Sequence, residues 1–172
     1  MKRKNKLILI CVVIGLFVIM IMPTEVTDIN CAVVNSENGD IAFSYFYDTN
    51  GIDSVVIEAY TKDGEMLFSK SYLSAPVHMV YDGEDLCIVV GKGDYKKYCF
   101  DRNGNEVNND ITMTKIQERY SFDGWEFSFL AWTFECVFDD YTYRYEQPTA
   151  FKHRATLTIT KGEEVITIYD NP

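Results

Sequence analysis

Residues 155–169 read ATLTITKGEEVITIY, and this stretch decides the fold class. Leu157 and Ile159 alternate with Thr156, Thr158 and Thr160, and Val165, Thr167 and Tyr169 resume the two-residue period after Lys161-Gly162. A period of two sends successive side chains to opposite faces of a strand, and β-branched and aromatic residues suit a pleated surface. A glycine between two such runs supplies the positive φ that a tight hairpin needs. The pattern predicts two antiparallel strands joined by a short turn.

The same pattern extends towards the N-terminus. Ala42, Ser44 and Phe46 alternate with Phe43, Tyr45 and Tyr47, and turn dipeptides punctuate the chain at Asn50-Gly51, Asp63-Gly64, Asp82-Gly83, Asn103-Gly104 and Asp123-Gly124. Helical periodicity is nearly absent beyond Met22; residues 109–120, around Ile111, Ile116 and Tyr120, suit a short helix or linker. The expected class is all-β and antiparallel.

The turns are also spaced. Asp82-Gly83 recurs 41 residues on at Asp123-Gly124, and Gly64 recurs 40 residues on at Gly104. Tyr47-Asp48, Tyr81-Asp82 and Phe122-Asp123 open each unit, while Thr61–Glu65, Phe100–Gly104 and Thr160–Glu163 close it. Three copies follow, at about 40–73, 77–108 and 118–170, the third enlarged between Asp139 and Arg154. A four-stranded unit of this period resembles a propeller blade. Three blades are too few to close a propeller, so the expectation is a meander of three propeller-blade-like repeats forming a curved sheet or sandwich. Completion of the ring by a second chain is the competing arrangement.

A different physics governs the N-terminus. Lys2, Arg3, Lys4 and Lys6 precede Leu7 to Met22, a run of 16 residues that is apolar apart from Gly15. As a helix this run spans about 24 Å, short of a hydrocarbon core of about 30 Å, and tilt or local thinning absorbs the difference. Residues 23–30 offer no small-residue pair for signal cleavage, and neither Cys11 nor Cys31 follows a lipobox. The expectation is one N-terminal transmembrane helix or signal-anchor. A basic flank (1–6) stays in the cytoplasm, a linker and first strand (23–39) follow, and an extracytoplasmic β domain (40–172) is displayed outside a bacterial envelope. The alternative is secretion after signal cleavage.

The chain carries 16 Lys+Arg against 26 Asp+Glu. Without residues 1–22 the balance is 12 to 26, a net −14, so the displayed body is more acidic than the total of −10. An acidic body with no basic stripe repels phosphates and excludes nucleic acid as a partner.

Four cysteines follow the apolar run: Cys31, Cys87, Cys99 and Cys136. A three-residue loop at Lys92–Asp94 sets Cys87 opposite Cys99 across a hairpin, where a disulfide or two packed thiols are the alternatives. No CxxC and only two histidines, His78 and His153, leave no metal site expected. Asp101, Asn103 and Asn105 have calcium-loop spacing, but Gly104 comes too early and the twelfth-position Glu is missing. Hairpin turns account for them, and no cofactor is expected.

Of 25 aromatic residues, 12 lie between Tyr120 and Phe151. Trp125, Phe127 and Phe129 share one phase and Trp132, Phe134 and Phe138 the other, so a bulge or turn is expected near Leu130 and Ala131. Tyr141, Tyr143 and Tyr145 form either a core wall or, with Trp132, a stacking platform for sugars or peptide. Catalytic signals are thin. Asp139 with Asp140, or Glu135 with Glu146, are candidate carboxylate pairs, and neither histidine has a visible nucleophile beside it. The function expected is a non-catalytic binding or accessory module for an envelope protein or glycan. The alternative is an envelope glycan hydrolase using paired carboxylates.

Overall fold

The computed structural model describes residues 29–49, 52–73, 77–91, 93–118, 122–128, 132–148 and 154–171. The expected span at 7–22, with its basic flank, lies outside these residues; among them no helix is long and apolar enough to cross a membrane.

Among the described residues, twelve strands form three open antiparallel sheets. A central sheet runs in the order β1 (Ile29–Val34), β2 (Ile41–Thr49), β3 (Ile52–Tyr60) and β4 (Met66–Leu73). A second holds β5 (Val77–Asp82), β6 (Asp85–Val90) and β7 (Lys96–Phe100). The third runs from β12 (Glu164–Asn171) through β11 (Ala155–Lys161), β10 (Tyr141–Glu146) and β9 (Thr133–Phe138) to β8 (Glu126–Ser128). One short helix, α1 (Met113–Gln117), starts where the Thr112 hydroxyl accepts the Lys115 N–H.

The central sheet takes in β1, which precedes the first expected repeat, and the uniform four-stranded unit is corrected to sheets of four, three and five strands. Where a curved sheet or a sandwich was expected, three separate sheets pack against one another. The reason lies in the central sheet, which is apolar on both faces and needs a cover on each. Ile41, Phe43 and Tyr60 pack against Tyr141, Tyr143, Tyr145, Leu157 and Ile159 of the third sheet. Ala42, Val55, Ile57 and Ala59 pack against Met79, Leu86, Ile88 and Val90 of the second. The outer face of the second sheet is covered by Ile116 of α1, over Val80, Cys87, Val89 and Cys99.

The 40-residue glycine echo has a packing role. Gly104, at φ +76°, lies so close to the central sheet that a Cβ there would be 2.7 Å from Phe68 Cβ. Gly64, at φ +80°, approaches the third sheet the same way, where a Cβ would be 2.6 Å from Ile166 Cγ2. Phe68 lies four residues after Gly64 and Ile166 four after Gly162, so successive layers meet through equivalent positions. Gly162 has open space beside it because its sheet ends the stack.

All three sheets converge on the β1–β2 turn. Asp40 is buried and receives Arg102 Nε at 2.7 Å and Nη2 at 3.0 Å; Asn35 Nδ2 donates to the Gly83 carbonyl at 3.0 Å, and Tyr143 donates to the Gly39 carbonyl. This turn therefore ties the central sheet to both neighbours.

Candidate functional site: a tyrosine groove between two sheet edges

The site begins with a hairpin. Strands β6 and β7 pair in the register Cys87↔Cys99, Ile88↔Tyr98 and Val90↔Lys96, which is the register expected from the turn at 91–95. The structure joins Cys87 to Cys99 by a disulfide, and both cysteines are buried under α1. Lys97 Nζ donates to the carbonyls of Asn109 at 2.5 Å and Ile111 at 3.0 Å, holding the 109–111 segment against β7. The hairpin is thus braced from behind.

Its front face meets β4, the edge strand of the central sheet. Phe68 packs on Phe100 at 5.7 Å between ring centroids, Lys70 Nζ lies 5.4 Å from the Phe100 centroid, and Tyr72 packs on Tyr98 at 5.1 Å with a 37° tilt. In this zipper Tyr72 and Tyr98 are half-buried, while Phe100 is buried. Where the zipper ends, a groove of about 440 Å³ opens between Ser71, Tyr72, Val90, Asp94, Lys96 and Tyr98. Its volume falls within the roughly 300–1,000 Å³ of small-molecule sites. Burial, with smaller contributions from Tyr98 and Glu106, pushes the Tyr72 phenol up to about 12. The Tyr72 hydroxyl is therefore held neutral, beside the Tyr98 ring and the side chains of Asp94 and Lys96.

The tyrosines that sequence density singled out do something else. Tyr143 and Tyr145 have no exposed surface, and Tyr141 is 4% exposed. Tyr141 donates to Asp63 Oδ1 at 2.8 Å and accepts from Lys161 Nζ at 2.9 Å; Tyr145 accepts the Ile29 N–H at 3.5 Å. The stacking platform expected at Tyr141, Tyr143 and Tyr145 is corrected: β10 lies between β9 and β11, with the central sheet over its inner face. Trp132, at φ +48°, follows the turn between β8 and β9, and its ring packs edge-on to Phe127 at 5.7 Å. Phe127↔Phe134 and Glu126↔Glu135 pair between β8 and β9, the pairing expected of the turn arrangement, while Leu130 and Ala131 themselves lie outside the described residues.

The candidate acids sit on solvated surfaces. Arg144 bonds Glu146 at 3.0 Å and lies 3.9 Å from Glu135, while Asp140 is 3.5 Å from Lys161. A smaller groove of about 210 Å³ holds Glu126, Glu135, Phe127 and Arg144 on the outer face of the third sheet. Asp101 accepts N–H bonds from Asn103 at 2.9 Å and Asn105 at 2.8 Å, and the Asn105 amide at 3.0 Å. The calcium-like spacing thus serves its own turn, and among the described residues no group of three metal-binding side chains converges. His78 is half-buried in mid-β5; His153 lies outside the described residues.

Tyr72 and Tyr98 were not legible in the sequence because each shares its strand with only one other aromatic, Phe68 or Phe100, and the two strands meet only through tertiary packing. The available signal was the Gly91–Gly93 turn beside a candidate disulfide, which marks a tightly held hairpin with an open end. No family model matches the chain, and no curated protein and no solved structure is significantly similar to it.

Proposed function

We propose that this chain is a membrane-anchored, extracytoplasmic binding or accessory module whose ligand seat is the Tyr72–Tyr98 groove. The observation that carries the reading is chemical. Among the described residues, the groove combines two half-exposed phenols with one carboxylate, Asp94, and one ammonium, Lys96. Such a set orients and holds a ligand through ring contact and hydrogen bonds, whereas glycoside hydrolysis needs two carboxyl groups across one bond. The blade-like stacking of the repeats provides the rigid walls, and residues 7–22 provide the tether.

The hydrolase alternative rests on Glu126 and Glu135, which are directly opposed across β8 and β9 beside Phe127. Against it, the pair lies on an open sheet face and Arg144 compensates Glu135.

Co-sedimentation of the full chain, held in lipid nanodiscs so that its tether is already occupied, with membrane-free envelope polymer tests the proposal. Retention of the wild-type chain and release of Ser71→Arg, which fills the groove from an exposed position, is the expected outcome. Equal retention of both overturns the groove. Release of reducing ends from that material, abolished by Glu135→Gln, establishes the hydrolase instead.

A further inference from the structure

The groove's chemistry also selects a ligand class, and this step rests on the binding-module reading above. We propose that the Tyr72–Tyr98 groove takes a neutral glycan chain. Four observations converge on that class.

The first is the pair of rings. Pyranose rings carry apolar C–H faces and polar rims, and a half-exposed tyrosine matches both with its ring and its hydroxyl. Tyr72 and Tyr98 pack on each other at 5.1 Å with a 37° tilt, and both rings line the groove. The second is the polar set. Ser71 and the two phenols donate and accept, Asp94 accepts and Lys96 donates, which together serve a ligand rich in hydroxyl groups.

The third is charge. Asp94 and Lys96 balance each other inside the groove, and residues 23–172 carry a net −14. A polyanionic chain would approach against that field, while an uncharged one is indifferent to it. The fourth concerns the neighbouring edge. The other ligand that a groove beside an edge strand can take is an extended peptide, added to β4 by backbone pairing. Lys70 stands in the middle of β4 with its ammonium directed inward over the Phe100 ring, a charge placement that guards edges against added strands. The peptide is therefore disfavoured where the sugar is not.

The test uses the full chain in lipid nanodiscs and calorimetric titration with four soluble probes. Chitotetraose and cellotetraose are neutral glycans, tetragalacturonate is an anionic one, and an alternating Val-Thr octapeptide represents an added strand. Binding of at least one neutral tetrasaccharide is expected, weakened about tenfold or more by Tyr98→Ser and within about threefold of wild type for Tyr98→Phe. Ser71→Arg serves as the second variant, because it blocks the groove without touching the core. Neutral-glycan binding that survives Ser71→Arg overturns the site. If neither neutral glycan binds, the inference is overturned. Should the anionic glycan or the peptide then bind and be lost in Ser71→Arg, the binding-module reading stands with a different ligand. Equal envelope retention of wild type and Ser71→Arg is the separate result that removes that reading itself.

Discussion

Towards the third sheet the central sheet presents Phe43, Tyr45 and Tyr60; towards the second it presents Ala42, Val55, Ile57 and Ala59. On the aromatic side, rings meet rings and phenols end in hydrogen bonds. Phe43 lies 5.8 Å from Tyr60 and 5.6 Å from Tyr169, and Tyr45 and Tyr60 donate to the two carboxylate oxygens of Glu58 at 3.1 and 2.9 Å. On the aliphatic side ring contacts are confined to the Phe68–Phe100 and Tyr72–Tyr98 zipper at the sheet edge, and the Cys87–Cys99 disulfide and α1 lie behind the second sheet. A tyrosine becomes structural where a further layer closes over it, as at Tyr143. It remains available where the stack ends at an edge, as at Tyr72 and Tyr98.

The largest expected effect breaks the aromatic side. Tyr143→Ser empties a buried ring site and removes the bond to the Gly39 carbonyl, and should cost about 3–5 kcal/mol in urea unfolding. A melting profile like that of wild type, with loss of ligand binding, would return Tyr143 to the role of a platform.

Reducing the disulfide tests the aliphatic side. A cross-link between residues 12 apart in sequence stabilises by about 3 kcal/mol through the unfolded chain. Hydrogen exchange should rise in β6, β7 and α1 while β10 and β11 stay protected. Equal loosening of both regions would show that the two interfaces unfold as one unit.

A finer comparison comes from two equivalent glycines. Gly104→Ala adds a clash with Phe68, about 1–3 kcal/mol, to a positive-φ cost of about 1 kcal/mol. Gly162→Ala carries only the backbone cost, about 1 kcal/mol, since nothing lies within 4 Å. Equal values for the two would remove the packing role assigned to the repeat.

The smallest effect is on pH. Tyr72 has a folded value raised from 10.0 to about 12, so its neutral form is favoured in the folded state. The stability it contributes is complete below pH 10 and is lost as pH rises towards 12. Comparing wild type with Tyr72→Phe in alkaline unfolding isolates this window; identical profiles would mean that Tyr72 is freely solvated.

The strands, the turns and the Cys87–Cys99 register were legible because each rests on local rules. A two-residue period and a glycine at a turn specify a hairpin wherever it sits. The aromatic density of 120–151 was legible as well, but its meaning was not. Alternation says that Tyr141, Tyr143 and Tyr145 share a face and says nothing of what lies over that face. Ser71 and Lys96 illustrate the converse, since two unremarkable residues 25 apart become neighbours only when two sheet edges meet.

By itself, then, the sequence determined an acidic, antiparallel β-body in three repeating units, because hydrogen-bonded hairpins and side-chain alternation act over a few residues. Only the tertiary structure decided that the units stack as layers, which tyrosines are sealed and where a groove remains open. Those outcomes depend on which sheet face covers which, and burial is a property of the assembled layers rather than of any one strand.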